Sequence, residues 1–321
     1  MELRNLGKTN IKITPIGLGC WQFSNGQGLA GKFWPTLQDI PFEAIIRAML
    51  EGGVNWFDTA EMYGHGASEQ ALARGLEQAG AAPGSVVIAT KWNPIGRTAR
   101  SLVRTIEDRL RYLAPYPIDL HQIHNPLALD TVRAQMEAMG RLLREGKIRA
   151  AGVSNFSAKR MREAHKILAD LGYPLASNQM EYSLLNRRIE RNGVMESAKE
   201  LGMTIIAYSP LAQGLLTGKF HDDPSRLKER VGLRRLMPPY GGGGLKKSEP
   251  VIRTLQEVAR RYDTTPAAVA LAWLVQFHGD TVVAIPGATK LSQAQQNVAA
   301  LRLRLTPDEL SALDEVSRAF M

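Results

Sequence analysis

Residues Ile118–His124 read IDLHQIH, a short run rich in apolar and β-branched side chains. The helical pattern of Thr131–Glu145 follows it, and then comes a second short run, AAGVS within Ile148–Ser154. Runs of this length are typical of buried strands, and an amphipathic segment between two of them indicates a βαβ unit. This stretch therefore predicts parallel strands that are covered by helices.

The same alternation extends over most of the chain and predicts eight strand–helix units. The predicted strands are Ile16–Gly19, Val54–Asp58, Val86–Lys91, Ile118–His124, Ile148–Ser154, Ser177–Glu181, Thr204–Tyr208 and Val282–Pro286. The helical patterns between and after them are Pro41–Gly52, Ser68–Gln78, Ser101–Leu113, Thr131–Glu145, Ala158–Leu171, Gly193–Leu201, Glu249–Tyr262, Pro266–Phe277 and Ser292–Ala300.

Both an open doubly wound sheet and a closed barrel fit this alternation. The count of eight favours an α/β fold of the (β/α)8 TIM barrel type. Because no linker divides the chain, we predict a single domain over residues 1–321. Leu3–Gly7 and Ile11–Ile13 predict an N-terminal β-hairpin before the first barrel strand. The capping box that begins at Thr306 predicts an extra C-terminal helix outside the eight-fold count.

Composition places the chain among ordinary globular proteins. It has 321 residues, of which 44% are hydrophobic and 22% are charged, which argues against disorder and against a disulfide scaffold. The single cysteine, Cys20, excludes an internal disulfide and a Cys-rich metal site, and no metal is expected. The N-terminus lacks a secretory h-region, and the longest apolar stretch, Ala267–Val275, is too short to span a membrane. We therefore expect a soluble cytoplasmic protein without a membrane partner.

The formal net charge is +9, and much of the excess lies in one segment. Residues 226–247 hold seven basic side chains and one acidic one, together with Pro238-Pro239 and four consecutive glycines. Such a segment predicts a loop, which is either solvated or attracts phosphate. Nucleic acid is not expected as a partner, because the charge is confined to one loop and no recognised binding module is present.

Polar residues stand at the carboxyl ends of the predicted strands, where barrels carry their chemistry. Asp58 ends the second strand, Lys91 the third and His124 the fourth. Side-chain alternation places His124 on the same face as Gln122, and turns His121 toward the helices. A lone residue of each type is usually a cap, a solvated cation or a structural group. Their convergence indicates a functional site, because burying unmatched charges is costly.

Several segments in order along the chain resemble the aldo-keto reductases. The resemblance is greatest to the branch that holds bacterial and plant members and potassium-channel β-subunits. The segments that carry it are Phe57–Gly64 (FDTAEMYG), Ala89–Trp92 (ATKW), Asp119–His124 (DLHQIH), Gly152–Phe156 (GVSNF), Asn178–Ser183 (NQMEYS), Tyr208–Leu211 (YSPL) and Ile285–Lys290 (IPGATK).

This resemblance implies a catalytic tetrad of Asp58, Tyr63, Lys91 and His124. Carbonyl reduction needs a hydride on carbon and a proton on oxygen, and a free phenol has a pKa near ~10. Lys91 is expected to lower the pKa of Tyr63, while Asp58 balances the charge of Lys91. His124 is expected to be a neutral donor that orients the carbonyl oxygen.

The resemblance also implies an extended nicotinamide cofactor, with NADP(H) favoured and NAD(H) possible. Gln293 stands where many members carry arginine, which weakens the case for the 2′-phosphate. The basic segment 226–247 is hypothesised to cover the diphosphate. By resemblance, the carboxamide is expected to meet Ser154, Asn155 and Gln179, and the nicotinamide ring to stack on Tyr208. The residues expected at the diphosphate are Ser209, Leu211, Gln213 and Lys219, those at the 2′-phosphate are Thr289, Lys290 and Gln293, and those near the adenine are Gln296 and Asn297. Further cofactor contacts are expected from Trp21, Asp58, Pro210 and Gly287.

A literal Gly-x-Gly-x-x-Gly occurs at Gly26–Gly31, but no helix pattern follows it. A dinucleotide-binding fingerprint requires a strand before and a helix after, so we interpret this segment as a loop at the pocket mouth. The expected substrate-pocket residues are Trp21, Trp34, Trp92 and Asn125.

Two functions follow from the resemblance. The leading one is NADPH-dependent reduction of small-molecule aldehydes or ketones to alcohols, with Tyr63 as the proton donor. The alternative is a regulatory or redox-sensing subunit that binds cofactor with little turnover, as in the channel β-subunits. The sequence leaves the physiological substrate and the oligomeric state open.

Overall fold

Eight parallel strands form the barrel. The computed structural model describes residues 2–24, 40–229 and 244–321. These strands pair in chain order, from Leu18–Gly19 to Val282–Ala284, and each neighbouring pair is parallel. The first and last strands meet where Gly17 N donates to Ala284 O at 2.8 Å and Gly19 N donates to Pro286 O at 3.1 Å. The predicted (β/α)8 barrel is confirmed.

The strands are shorter than predicted at several ends, because the hydrogen bonds to the neighbouring strand stop while the chain remains extended. Pro286 and His124 both fall just beyond their strands. The strands are β1 Arg4–Asn5, β2 Lys12–Ile13, β3 Leu18–Gly19, β4 Trp56–Asp58, β5 Val87–Trp92, β6 Leu120–Ile123, β7 Ala150–Ser154, β8 Leu175–Glu181, β9 Thr204–Tyr208 and β10 Val282–Ala284.

The predicted helices are all present, with boundaries that agree to within a few residues. The helix predicted over Glu249–Tyr262 begins earlier, at Gly244. The α-helices are α1 Phe42–Glu51, α2 Ala67–Gln78, α3 Ala99–Leu113, α4 Val132–Arg144, α5 Ala158–Asp170, α6 Val194–Leu201, α7 Lys219–Asp222, α8 Gly244–Arg261, α9 Pro266–Gln276, α10 Leu291–Arg302 and α11 Pro307–Ser317.

The N-terminal hairpin, β1 with β2, closes one end of the barrel. Leu6, Ile11 and Ile13 pack against barrel-interior residues such as Trp56 and Leu120. The indole of Trp56 donates to Thr14 O at 2.8 Å, which ties the hairpin to β4. A ligand therefore reaches the barrel interior from the opposite end, where the strands finish.

Helix α9 is apolar on all sides and is buried between the sheet, α8 and α10. Ala267–Val275 thus belongs to the protein core, as its length predicts. Among the helices of the described ranges, none has both the length and the apolar character that a membrane crossing requires. The Gly26–Gly31 segment, Trp34 and residues 230–243 of the basic segment lie outside the described residues.

Arg187 fastens the C-terminal helix to the loop after β8. Its side chain is fully buried, and its guanidinium contacts Glu190 and Asp314, each at 2.6 Å. It also donates to Ser317 Oγ at 2.8 Å, and Phe320 O accepts from its backbone N–H at 2.8 Å. The predicted extra helix is therefore held by a charge network in addition to apolar packing.

Replacing Arg187 with methionine should lower the free energy of unfolding by up to about 3–5 kcal/mol, because the largely buried Glu190 and the partly buried Asp314 both lose their contact with this guanidinium. Urea denaturation followed by far-UV circular dichroism measures the change. Arg111→Met is the matched control, since Arg111 forms an exposed pair with Asp108 and lies over the ring of Tyr112, and its loss should change stability by less than about 1 kcal/mol. Equal midpoints for the two variants would contradict the anchoring role of Arg187.

Candidate active site

The site lies at the carboxyl ends of the strands, opposite the hairpin. Asp58 ends β4, Lys91 is the penultimate residue of β5, and His124 follows β6 directly. Tyr63 lies in the turn between β4 and α2, which brings it back over the barrel mouth. The structure thus brings the four residues of the predicted tetrad together, although 66 residues separate the first from the last in the sequence.

Asp58 and Lys91 form a buried ion pair at the base of the site. Lys91 donates to Asp58 Oδ1, and also to the carbonyl oxygen of Thr59 at 2.9 Å. Both side chains are almost completely inaccessible to solvent. Burial acts against the charge of Lys91, but Asp58 and then Tyr63 outweigh it and raise the pKa of the ammonium. Lys91 is therefore a permanent cation at neutral pH.

Tyr63 places its phenol against this cation. Lys91 Nζ lies 5.2 Å from the centre of the Tyr63 ring, close enough for its charge to act on the phenol. Burial raises the pKa of Tyr63, Lys91 acts in the opposite direction, and Asp58 adds to the rise. The expected lowering by Lys91 is present, but burial exceeds it. The phenol consequently holds its proton and can act as a donor.

His124 completes the group as a neutral imidazole. Its ring stands edge-on to Tyr63, with 5.6 Å between the ring centres. Burial, and then the charge of Lys91, lowers the pKa of His124 well below its ordinary value of 6.5. His121 points to the other side of β6, as alternation predicts, and burial lowers its pKa to about 3.

Of the residues expected in the substrate pocket, Trp21 and Asn125 lie at the barrel mouth and Trp92 does not. Trp21 stacks on Tyr63, with ring centres 6.1 Å apart. Asn125 follows His124 directly and is half-buried at the mouth. The prediction that Trp92 lines the substrate pocket is wrong, because the side chain after the inward-facing Lys91 must face outward. It is 1% exposed, packs in the layer between sheet and helices, and donates to Ser101 Oγ at 3.1 Å.

A chain of amide and hydroxyl groups lines the β7–β9 side of the mouth. Tyr208 donates to Asn155 Oδ1 at 3.0 Å, and Asn155 Nδ2 donates to Ser154 Oγ at 3.0 Å. Ser154 in turn donates to the backbone oxygen of Gln179 at 3.0 Å. Asn155 has φ of 60°, a left-handed conformation that asparagine tolerates better than most residues. These contacts fix the orientation of three groups expected to meet a carboxamide and a pyridine ring.

The turn after β9 has the shape of an anion cradle. Ser209, Ala212 and Gln213 have φ of 51°, 48° and 53°, and Gly214 has φ of 94°. Successive left-handed residues turn backbone N–H groups into one concavity, which suits phosphate. The amine of Lys219 lies beside this turn, 3.7 Å from the position of a Cβ on Gly214. The predicted diphosphate residues are thus adjacent to one another, and Pro210 and Leu211 lie within the same turn.

The start of α10 gathers the residues expected at the adenosine phosphate. Gln293 Oε1 accepts from Thr289 N at 2.7 Å and from Lys290 N at 3.3 Å, which caps the helix. One turn later Asn297 is buried, and its side-chain nitrogen has no hydrogen-bond partner among the described residues. Such an orphaned donor fits a ligand group, since buried polar atoms are normally satisfied. Gln296 is half-buried beside it, and Gly287 lies against Gln22, which leaves no space for a side chain.

A second charged group, not anticipated from the sequence, supports the turn that carries Tyr63. Glu61 accepts from Arg97 Nη1 at 2.8 Å and from Asn93 N at 2.9 Å, and lies 3.2 Å from Arg109 Nη1. Arg109 also pairs with the buried Glu69 at 2.8 Å. No periodic signal marks these residues, because Glu61 and Arg97 lie in loops, and the helical positions of Glu69 and Arg109 look like solvated faces in the sequence.

The comparisons with known proteins agree with this fold. A family model of the Aldo/keto reductase family matches residues 15–318, so the chain belongs to that family. Members of the family are oxidoreductases that use nicotinamide cofactors and act on small-molecule carbonyl substrates. The chain is 40% identical over 314 residues to an uncharacterized oxidoreductase of Mycobacterium bovis, covering 96% of this chain and 91% of that protein. An uncharacterized oxidoreductase of Mycobacterium tuberculosis matches to the same extent.

Two solved structures have the same architecture. The glycerol dehydrogenase of Gluconobacter oxydans has a TM-score of 0.82 at 28% identity, covering 98% of this chain and 94% of that chain. An aldo-keto reductase of Klebsiella pneumoniae in complex with NADPH has a TM-score of 0.74 at 26% identity, covering 98% and 95%.

The buried Glu69 should make stability depend on pH. Burial raises its pKa to about 7 from an ordinary value of 4.5, despite the opposing charge of Arg109. The folded protein therefore keeps this proton up to a higher pH than the unfolded chain, and stability falls as the pH rises from about 4.5 to about 7. Glu69→Gln should remove up to about 3 kcal/mol of this fall.

Urea denaturation at several pH values measures the difference between the variant and the parent protein. Glu77→Gln is the control, because Glu77 lies exposed on the same helix. A Glu69→Gln difference that stays constant across the pH range would show that Glu69 does not titrate there.

Proposed function

We propose that this protein is an NADPH-dependent carbonyl reductase that converts aldehydes or ketones to alcohols, with Tyr63 as the proton donor. The observation that carries the proposal is geometric: the Tyr63 ring lies 5.2 Å from the buried ammonium of Lys91, which pairs with Asp58, and His124 stands edge-on to the same ring. The catalytic residues in this proposal are Asp58, Tyr63, Lys91 and His124, all within one domain over residues 1–321.

Each side chain has a separate task in the reaction. When bound, the reduced nicotinamide supplies a hydride to the carbonyl carbon. Tyr63 gives its proton to the carbonyl oxygen and becomes a phenolate, which the neighbouring Lys91 stabilises. Asp58 holds Lys91 in place and balances its charge. His124 is neutral, so it can donate a hydrogen bond to the oxygen without competing for the role of acid.

Several features support NADPH as the cofactor. The turn after β9 offers backbone donors for the diphosphate, the Lys290 amine offers a cation for the 2′-phosphate, and the orphaned amide of Asn297 offers a donor for the adenine. The Klebsiella pneumoniae neighbour is itself an NADPH complex. Gln293 is engaged in capping α10, so we assign the 2′-phosphate mainly to Thr289 and Lys290, with NADH as the weaker alternative.

The substrate enters at the mouth beside Trp21 and Asn125. Trp21 covers one side of Tyr63, and this aromatic wall favours a carbonyl compound with an apolar substituent. Trp92 has no part in this pocket, because it faces the helices.

Tyr63→Phe should reduce turnover about 10²–10⁴-fold, since the variant keeps the ring but loses the proton donor. NADPH oxidation is followed spectrophotometrically with a panel of aldehydes and ketones. Tyr173→Phe is the control, because Tyr173 precedes β8 at the opposite end of the barrel, and it should retain parental rates. Unchanged rates in Tyr63→Phe would exclude Tyr63 as the donor. Tight NADPH binding by the parent protein without oxidation would favour a sensing subunit instead.

Lys290→Ala should raise the KM for NADPH about tenfold or more and leave the KM for NADH unchanged, because the lost cation serves only the extra phosphate. Steady-state rates with both cofactors test this expectation. Lys12→Ala, an exposed lysine of the distal hairpin, should change neither constant. An equal rise for NADPH and NADH would place Lys290 away from the 2′-phosphate.

A further inference from the structure

Gln122 is a fully buried amide in the barrel interior, directly beneath the tetrad. It lies in β6, in register with Lys91 of β5 on one side and with Gly152 of β7 on the other. Its side chain points inward, as does that of Lys91. Gln122 lies among the residues of the site but has no role in the proposed reaction.

The first contact of Gln122 is with the carboxylate of the ion pair. Its Nε2 donates to Asp58 Oδ2 at 3.1 Å, while Lys91 occupies Oδ1 of the same carboxylate. Gln179 Nε2 donates to Oδ2 as well, at 2.9 Å. Because both oxygens have donors, Asp58 is fixed in rotation, and its Oδ1 stays directed at Lys91.

The second contact orients the amide of Gln179. Gln122 Oε1 accepts from Gln179 Nε2 at 3.4 Å. The two protons of that nitrogen are therefore engaged by Asp58 and Gln122, and the free end of the Gln179 amide is its carbonyl oxygen. A primary carboxamide approaching from the mouth would meet an acceptor at this position.

The barrel provides space for this arrangement at Gly152. A Cβ on Gly152 would lie 3.1 Å from Gln122 Cγ and would also collide with Ser177 Oγ. A side chain at this position would have to displace Ser177 Oγ and would press on Gln122 Cγ. The interior layer below the site is thus shaped around the glutamine, with glycine as its neighbour in the ladder.

We propose that Gln122 is a positioning residue, which presents the Gln179 carbonyl oxygen to the nicotinamide carboxamide and keeps Asp58 aligned on Lys91. This inference deepens the proposed function and rests on it. Gln122 touches neither substrate nor cofactor in this role. It acts through Gln179 and Asp58, so its removal should affect the nicotinamide half of the cofactor selectively.

The test compares NADPH with 2′-phospho-ADP-ribose, which retains the phosphates and the adenosine but lacks the nicotinamide. Gln122→Met keeps the length of the side chain and removes both hydrogen bonds. NADPH affinity, measured by isothermal titration calorimetry, should fall about tenfold, whereas the affinity for the fragment should stay within about twofold. Turnover should fall as well, because Asp58 loses a donor.

Gln122→Glu provides a second arm with a pH readout. A protonated glutamic acid can donate to Asp58 and accept from Gln179 as glutamine does, whereas its carboxylate repels Asp58. The NADPH-to-fragment affinity ratio of this variant should approach the parental ratio as the pH is lowered from about 8 to about 6. The ratio of Gln122→Met should be insensitive to pH over the same range.

The outcomes separate the two levels of the proposal. If the parent protein binds neither NADPH nor the fragment, the proposed function fails. If it binds both and Gln122→Met weakens both equally, or weakens neither, the positioning role is overturned while the proposed function stands. A lowered unfolding midpoint with an unchanged affinity ratio would likewise assign Gln122 to packing alone.

Discussion

The Asp58–Lys91 ion pair is the constraint around which the site is built. Two charges removed from water are costly unless each is paired and hydrogen-bonded. The barrel meets this demand with the Thr59 carbonyl and the amides of Gln122 and Gln179, which occupy the remaining positions on the pair. The same charges set the state of their neighbours, because Lys91 helps to hold His124 neutral and stands ready to stabilise the anion of Tyr63.

Closure of the sheet explains why residues so distant in the chain can share one site. Parallel strands deliver all their carboxyl ends to one rim, and alternation sends Asp58, Lys91 and Gln122 inward together. The interior below them is lined by apolar residues and closed by the hairpin. Support for Tyr63 comes from outside the sheet, where Glu61 links its turn to Arg97 and Arg109.

Most of the fold could be predicted from the sequence, because each strand–helix unit consists of a short apolar run followed by an amphipathic helical pattern. The tetrad followed from motif resemblance and strand-end position. The prediction for Trp92 failed because the strand extends to this residue. Side chains alternate along a strand, so Trp92 faces away from the interior when Lys91 faces into it. The net direction of the Tyr63 pKa could not be read from residue types, since it depends on how far burial exceeds the effect of Lys91. The Glu61 and Glu69 contacts depend on packing between helices, which local pattern does not encode.

Closure of one barrel end by the hairpin affects the order in which ligands enter and leave. Because the hairpin closes one end of the barrel within the described residues, substrate and product pass through the end where the strands finish. Of two molecules held one above the other in such a barrel, the deeper must arrive first and depart last. The order of events would then be imposed by Leu6, Ile11 and Ile13 at the far end of the barrel, residues that meet no reactant.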